Sequence, residues 1–279
     1  MRVLVTGGQG QLARAIAQAW PSADLKRVDL EDFDLAIPGA AAAAVADFRP
    51  AVVVSAGAWT AVDACEADPS RADLVNGTAV GWLGEACDAH GALLVHVSTD
   101  YVFDGRGTRP YREEDATAPA TAYGRSKLLG EAEAGRAREH LILRTAWLYE
   151  AWGQNFLRTM LRMAAEGRAL KVVDDQVGTP TSCRALARQL RRAVEEGWRG
   201  LYHATCAGQT SWHGFAAEIF RQAGLDPRLQ PCTSADFQRP APRPAYSVLD
   251  NGKRRRAGSD LMPDWREALA EVLAHGVEP

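Results

Sequence analysis

The amino-acid sequence predicts an α/β fold: a doubly wound parallel sheet followed by a smaller C-terminal α/β lobe. Three observations carry this expectation. Short apolar runs alternate with helical stretches through the first half of the chain. Those runs lack polar alternation, as expected of strands buried on both faces. A glycine-rich turn joins the first run to the first helix, where α/β proteins build phosphate loops.

Taken in order, residues 2–6 (RVLVT) read as a strand, 11–20 as a helix and 25–29 as a second strand. Residues 40–48 are alanine-rich and helical by propensity. A third strand covers 51–55, and 71–90 reads as one long amphipathic helix stopped by Gly91. Residues 92–97 form a fourth strand, 123–138 a helix and 141–144 a fifth strand. Repeated alternation of this kind requires crossover helices, hence parallel strands and right-handed connections. Beyond about residue 150 the pattern loosens. Helices are expected at 156–166, 184–195 and 212–222, with short strands at 171–173 and 201–203. The stretch Arg239-Pro240-Ala241-Pro242-Arg243-Pro244 must be extended, because each proline restricts its neighbour. The division expected is a Rossmann-type dinucleotide-binding domain over 1–147 and mainly a substrate-binding lobe over 148–279. Elements of about 170–205 return to the first domain. Lys253-Arg254-Arg255-Arg256 reads as a solvated basic turn.

Composition excludes several function classes. With 279 residues, 47% of them hydrophobic, the chain can bury a large core without staples. A formal net charge of −3 argues against a general nucleic-acid binder. No apolar run reaches the roughly 18 residues of a membrane helix. The N-terminal apolar stretch breaks at glycines after five residues, too short for a signal-peptide core. Five scattered cysteines (Cys65, Cys87, Cys183, Cys206, Cys232) form no CxxC pair, and no HExxH is present, so neither a disulfide framework nor a metal site is expected. The expectation is a cytoplasmic protein without nucleic-acid or membrane partners.

Thr6-Gly7-Gly8-Gln9-Gly10-Gln11-Leu12-Ala13 is the first chemical motif. Gly7 and Gly10 permit a tight turn and close backbone approach to a pyrophosphate. The helix opening at Gln11 and Leu12 then offers it free N–H groups. The spacing is G-x-x-G-x-x-A, with Ala13 where the dinucleotide fingerprint has its last glycine. Asp29, ending the second strand, is placed to accept from an adenosine ribose and to repel a 2′-phosphate, favouring NADH over NADPH. Asp34 and Leu35 lie just beyond, where they can flank the adenine. Ala56, Gly57 and Ala58 end the third strand with small side chains that let a cofactor lie across it.

Tyr123-Gly124-Arg125-Ser126-Lys127 is the sharpest signal. Residues four apart on a helix share a face. An ammonium beside a phenol lowers its pKa, making Tyr123 a usable proton donor, and the same Lys127 can hold nicotinamide ribose hydroxyls. Ser98-Thr99-Asp100 ends the fourth strand, on the carboxyl edge of the sheet where the crevice lies.

These motifs resemble the extended short-chain dehydrogenase/reductases. Within that superfamily, STDYVFDG followed by YGRSK, RTAWLY followed by DDQVGTPT, and RPAPRPAYSVLD are most similar to the dTDP-4-dehydrorhamnose reductase family. The resemblance runs over nearly the whole chain. It implies a catalytic triad of Thr99, Tyr123 and Lys127, NADH or NADPH as cofactor, and a dTDP-4-keto-6-deoxyhexose as substrate. It further implies substrate contacts from Asp100, Trp147, Asn155 and Gln176. Arg243 either pairs with the diphosphate or caps the lobe. Some family members dimerise through a magnesium ion held by glutamates. Here only Glu267, Glu271 and Glu278 stand near the C-terminus, so that site is not carried over; monomer or homodimer both remain open.

Ser55-Ala56-Gly57 departs from the family's Asn-Ala-Ala. Two rivals stay in view. One is another nucleotide-sugar 4-ketoreductase, epimerase or dehydratase. The dehydratases carry Asp-Glu after the threonine, whereas here Asp100-Tyr101 follows Thr99. The other is a non-catalytic regulatory subunit on the same fold, against which an intact Thr99, Tyr123 and Lys127 argues.

Overall fold

The computed structural model describes residues 1–30 and 33–278. From the N-terminus run β1 (Arg2–Thr6), α1 (Gln11–Ala19), β2 (Asp24–Val28), α2 (Ala40–Phe48), β3 (Val52–Ser55), α3 (Val62–Ala67), α4 (Pro69–Asp73), α5 (Ala79–His90), β4 (Leu93–Thr99), α6 (Ala122–Ala134) and β5 (His140–Thr145). There follow β6 (Leu148–Tyr149), α7 (Phe156–Ala165), β7 (Leu170–Val173), β8 (Val177–Gly178), β9 (Thr181–Ser182), α8 (Cys183–Glu195), β10 (Gly200–His203) and β11 (Thr210–Ser211). The chain closes with α9 (Trp212–Ala223), β12 (Leu229–Cys232), α10 (Gly252–Arg256) and α11 (Trp265–Ala274).

Six strands form one sheet in the order β10-β5-β4-β3-β1-β2, every pairing parallel. Strand β1 explains why no polar alternation is visible. Val3 and Val5 enter the core on one face and Leu4 a second core on the other, all three fully buried. In β3, Val52 and Val54 face the first core and Val53 the second. Strand order reverses between β1 and β3, which opens a crevice at their carboxyl ends.

Helix α8 packs on α1, and β10 extends the main sheet beside β5. Strand β7 instead pairs with β12 in the lobe. The helix expected over 71–90 is present, beginning at Pro69, and carries one irregular turn. A π-helical turn at Leu74–Thr78 separates α4 from α5, because buried Asn76 turns inward and clamps a neighbouring loop. Helix α6 stops at Ala134, earlier than expected. The basic run is a short helix and only half solvated, with Arg255 and Arg256 exposed. Arg254 is fully buried with its guanidinium 3.2 Å from Asp260, and Lys253 donates to the Leu201 carbonyl and lies 4.0 Å over the Tyr202 ring. Packing of α10 against β10 overrides the charge pattern. All five cysteines are free thiols, and no helix among the described residues is long and apolar enough to cross a membrane.

Candidate active site

The glycine loop and the end of β3 meet at the switch point. Gly7 has φ +68°, and a Cβ there would lie 2.7 Å from the Gly57 Cα, so both glycines are required by the approach of the two strand ends. The Gly57 N–H donates to the Thr6 hydroxyl at 3.0 Å, locking them together. Gly10 caps α1 without a side chain, and Gln11, Leu12 and Ala13 line the crevice, so the first-turn amides remain for a ligand. This is a cradle suited to a dinucleotide phosphate.

Asp29 lines the same crevice, and both carboxylate oxygens accept backbone N–H groups: Oδ2 from Gln9 at 2.6 Å, Oδ1 from Leu30 at 2.8 Å. It therefore braces the glycine loop as well as facing the ligand. Asp34, Leu35, Ala56 and Ala58 complete this end of a cleft of about 710 Å³. At its other end the cleft reaches Thr99, Asp100, Tyr123, Lys127 and Trp147.

Helix α6 delivers Tyr123 and Lys127. Thr121 caps it by accepting from the Gly124 N–H, and Glu66 accepts from the Ala122 N–H at 2.6 Å. Tyr123, Lys127 and Glu131 then follow one another at helical spacing, all buried. The Tyr123 ring packs among Cys65, Ala72 and Ala122 and meets the Tyr101 ring edge-on at 5.5 Å. Burial pushes its phenol well above the ordinary range, and the facing Thr99 hydroxyl offsets only part of this.

Here the geometry departs from the expected pairing. The Lys127 ammonium does not draw the phenol down. It donates to the Val97 carbonyl at 2.8 Å and lies 3.2 Å from the His96 Nε2, and burial lowers its pKa to about 8. His96 is fully buried and held neutral by burial and by Lys127, with Nδ1 3.3 Å from the Ser55 hydroxyl. A turn further on, Glu131 binds Arg144 through two hydrogen bonds of 2.8 and 2.7 Å and accepts from Ser98 at 2.6 Å. Asn76 fastens the neighbouring loop, accepting from the Trp59 N–H and donating to its carbonyl and to Ser126.

Thr99 donates to Asp100 Oδ1 at 2.9 Å. Burial raises the Asp100 carboxyl to about 6; the Ser247 hydroxyl, close by but outside hydrogen-bonding geometry, offsets part of the shift, as does Thr99. Its Oδ2 is buried with no hydrogen-bond partner among the described residues.

Gln176 and Arg243 line a second cleft, of about 690 Å³, which shares Tyr101 and Trp212 with the first. Gln176 donates to Ser234 at 2.8 Å. Arg243 forks onto Asp63 of α3 at 3.0 and 2.9 Å, joining the lobe to the first domain. Asn155 lines neither cleft, against expectation. It caps α7 by accepting from the Arg158 N–H, and its Nδ2 donates to Gln11 Oε1 and to the carbonyls of Glu150 and Trp152. Those bonds occupy the side chain, which ties the lobe to the glycine loop.

Sequence reading missed His96, Asn76, Glu131, Tyr101 and Trp212. A histidine inside the apolar run LLVHVS and a glutamate four residues after Lys127 were usable signals. Nothing local marks Trp212. Glu271 and Glu278 are ion-paired with Arg188 and Arg14, and no group of three potential metal ligands clusters among the described residues.

A family model described as RmlD substrate binding domain matches residues 1–277. A dTDP-4-dehydrorhamnose reductase from Burkholderia thailandensis is 46% identical over 96% of this chain and 97% of its own. This chain belongs to the dTDP-4-dehydrorhamnose reductase family. A probable dTDP-4,6-dihydroxy-2-methyloxan-3-one 4-ketoreductase from Streptomyces antibioticus is 44% identical over 98% of this chain and 95% of its own. The crystal structure of the family member from Bacillus anthracis, in complex with NADP, has a TM-score of 0.95 at 32% identity and covers 98% of this chain and 99% of that one.

Proposed function

We propose that the protein reduces the C4 keto group of dTDP-4-dehydro-L-rhamnose to give dTDP-L-rhamnose. The observation that carries this is the placement of Tyr123 and Lys127, buried on one helix, at the far end of the cleft that begins in the glycine loop. NADPH or NADH, when bound, supplies the hydride. The residues that would hold it are Gly7, Gly10, Gln11 and Leu12 at the phosphates, Asp29, Asp34 and Leu35 around the adenosine, Ala56, Gly57 and Ala58 along the strand end, and Tyr123 and Lys127 at the nicotinamide ribose.

Tyr123 protonates the oxygen at C4 as the carbonyl becomes a hydroxyl. Its raised pKa suits that direction, since a reducing enzyme needs the phenol to keep its proton until an alkoxide, a far stronger base, forms beside it. Lys127, one turn on along the helix, holds ribose hydroxyls of the cofactor. Thr99 orients the carbonyl, and Asp100 beside it contacts the sugar. Trp147 packs beside the hexose. Gln176 and Arg243 serve the nucleotide half in the second cleft, Arg243 sharing its guanidinium between Asp63 and the diphosphate. The site lies in a chain of reduced thiols, and we assign it to the cytoplasm.

The deciding assay is consumption of one equivalent of NADPH or NADH per dTDP-4-dehydro-L-rhamnose, with dTDP-L-rhamnose as product. No consumption overturns the proposal. The Streptomyces antibioticus relative favours one second reading, the same reduction on a different dTDP-4-keto-6-deoxyhexose. Running the two sugars side by side separates them by kcat/KM.

Two further results are expected. Lys127 carries its charge below about pH 8 and loses it above, while the Tyr123 phenol stays protonated throughout. Cofactor kcat/KM should therefore fall above about pH 8 along a one-proton limb. A limb displaced to about 10 or beyond, the ordinary lysine range, would remove Lys127 from that role. The second concerns Asp29→Asn. It keeps one amide acceptor and removes the charge, so the NADPH to NADH ratio of kcat/KM should rise several-fold, because a carboxylate repels a 2′-phosphate. An unchanged ratio would leave Asp29 as a brace of the loop alone.

A further inference from the structure

Among the described residues, Trp147 is one of two other than glycine with positive φ, at +48°, a conformation unfavourable for a bulky side chain. Its indole stacks on Trp212 with ring centroids 3.5 Å apart and planes 6° apart. That is a near-eclipsed sandwich, not the offset or edge-on arrangement aromatic quadrupoles favour. Two unfavourable features at one residue persist only where the surroundings impose them, and such places cluster at ligand sites.

The surroundings are explicit. Strand β11 pairs with β8, setting Thr210 opposite Gly178 and bringing the start of α9, where Trp212 stands, beside Trp147. Ser211 fixes that start by accepting from the Gly214 N–H. A Cβ at Gly178 would lie 2.5 Å from the Trp147 ring, so only glycine leaves the indole room. Phe156 backs Trp212 at 4.6 Å. Trp212 lines both clefts, whereas Trp147 lines the first. The stacked pair thus stands at the boundary between the site of reduction and the second cleft.

We infer that Trp212 is a positioning residue for sugar recognition: it holds the Trp147 indole, against its backbone preference, where the hexose of a nucleoside-diphosphate sugar passes from the second cleft into the first. This rests on the reductase reading above. The pair acts on the sugar and stands away from the phosphate and adenosine cradle, which lies at the other end of the cleft.

The test uses Trp212→Leu, Trp212→Phe and Gly178→Ala. Stacked indoles give an exciton couplet in far-ultraviolet circular dichroism, which a structural role elsewhere would not move. Trp212→Leu is expected to abolish the couplet and raise KM for the dTDP-sugar about tenfold, the worth of a good aromatic pair. Its NADPH KM should stay within about twofold of wild type. Trp212→Phe, which keeps a ring, should lose the couplet yet recover most of the sugar KM. Gly178→Ala crowds Trp147 and leaves Trp212 in place, so it should give the same sugar-selective rise, and it decides the matter if Trp212→Leu does not fold. An unchanged sugar KM, or a parallel rise for NADPH, overturns the inference. If the wild type consumes no NADPH with the keto sugar, the reductase reading fails separately. Calorimetric titration with dTDP-L-rhamnose then reads Trp212 alone: weaker binding by Trp212→Leu supports its role, and equal or absent binding in both proteins overturns it.

Discussion

Tyr123→Phe is expected to lower turnover by about 10²–10⁴-fold, the range of general acid catalysis, with little change in stability or cofactor affinity. The substitution removes one hydroxyl and leaves the ring against Cys65, Ala72, Ala122 and the edge of Tyr101. No packing is lost, so no cavity forms. The phenol is neutral in the fold and faces Thr99, so removing its hydroxyl costs at most one hydrogen bond, about 0.5–1.5 kcal/mol. Single-turnover reduction of the keto sugar, with NADPH titrated in parallel, separates the two effects. Near-native reduction by the variant would take Tyr123 out of the mechanism.

A broader loss is expected from Lys127→Met. Turnover should fall at least about 10²-fold, NADPH binding should weaken, and the alkaline limb near pH 8 should vanish with the group that causes it. Three features make the side chain more than a surface charge. It is 2% exposed, its ammonium donates to the Val97 carbonyl, and it sits against neutral His96. An exposed pair would be worth only about 0–1 kcal/mol. The fold should survive the change. Glu131 keeps its two hydrogen bonds to Arg144, so no buried charge is left alone. The acceptors on Val97 and His96 lose a donor, a cost of about 1–3 kcal/mol, offset by no longer desolvating a cation. Thermal melts near wild type with wild-type NADPH affinity and an unmoved pH profile would defeat the assignment of Lys127.

What the sequence determined by itself was everything set by neighbours in the chain. The unbroken apolar runs of β1 and β3 announced strands buried on both faces, since Val3 and Val5 serve one core and Leu4 the other. The glycine loop was legible because a strand, a tight turn and a helix start follow one another within a dozen residues. Tyr123 and Lys127 were legible because helix rotation alone puts residues four apart on one face.

Only the tertiary structure decided where those groups point and what holds them. Lys127 faces His96 because α6 lies on β4, which is why the expected lowering of the Tyr123 pKa gave way to burial of both groups. The helix expected over 71–90 widens into a π turn at Leu74–Thr78, where Asn76 answers a loop 17 residues back. Asn155 serves as a helix cap and tether because Gln11 reaches it from 144 residues away. Arg254 left the solvent because α10 packs on β10. Trp147 and Trp212 meet through the pairing of two-residue strands too short to mark themselves in a pattern. In each case the partner is distant in the chain and is chosen by sheet order and by closure of the lobe. Helix and strand periodicities carry no information about contacts of that range.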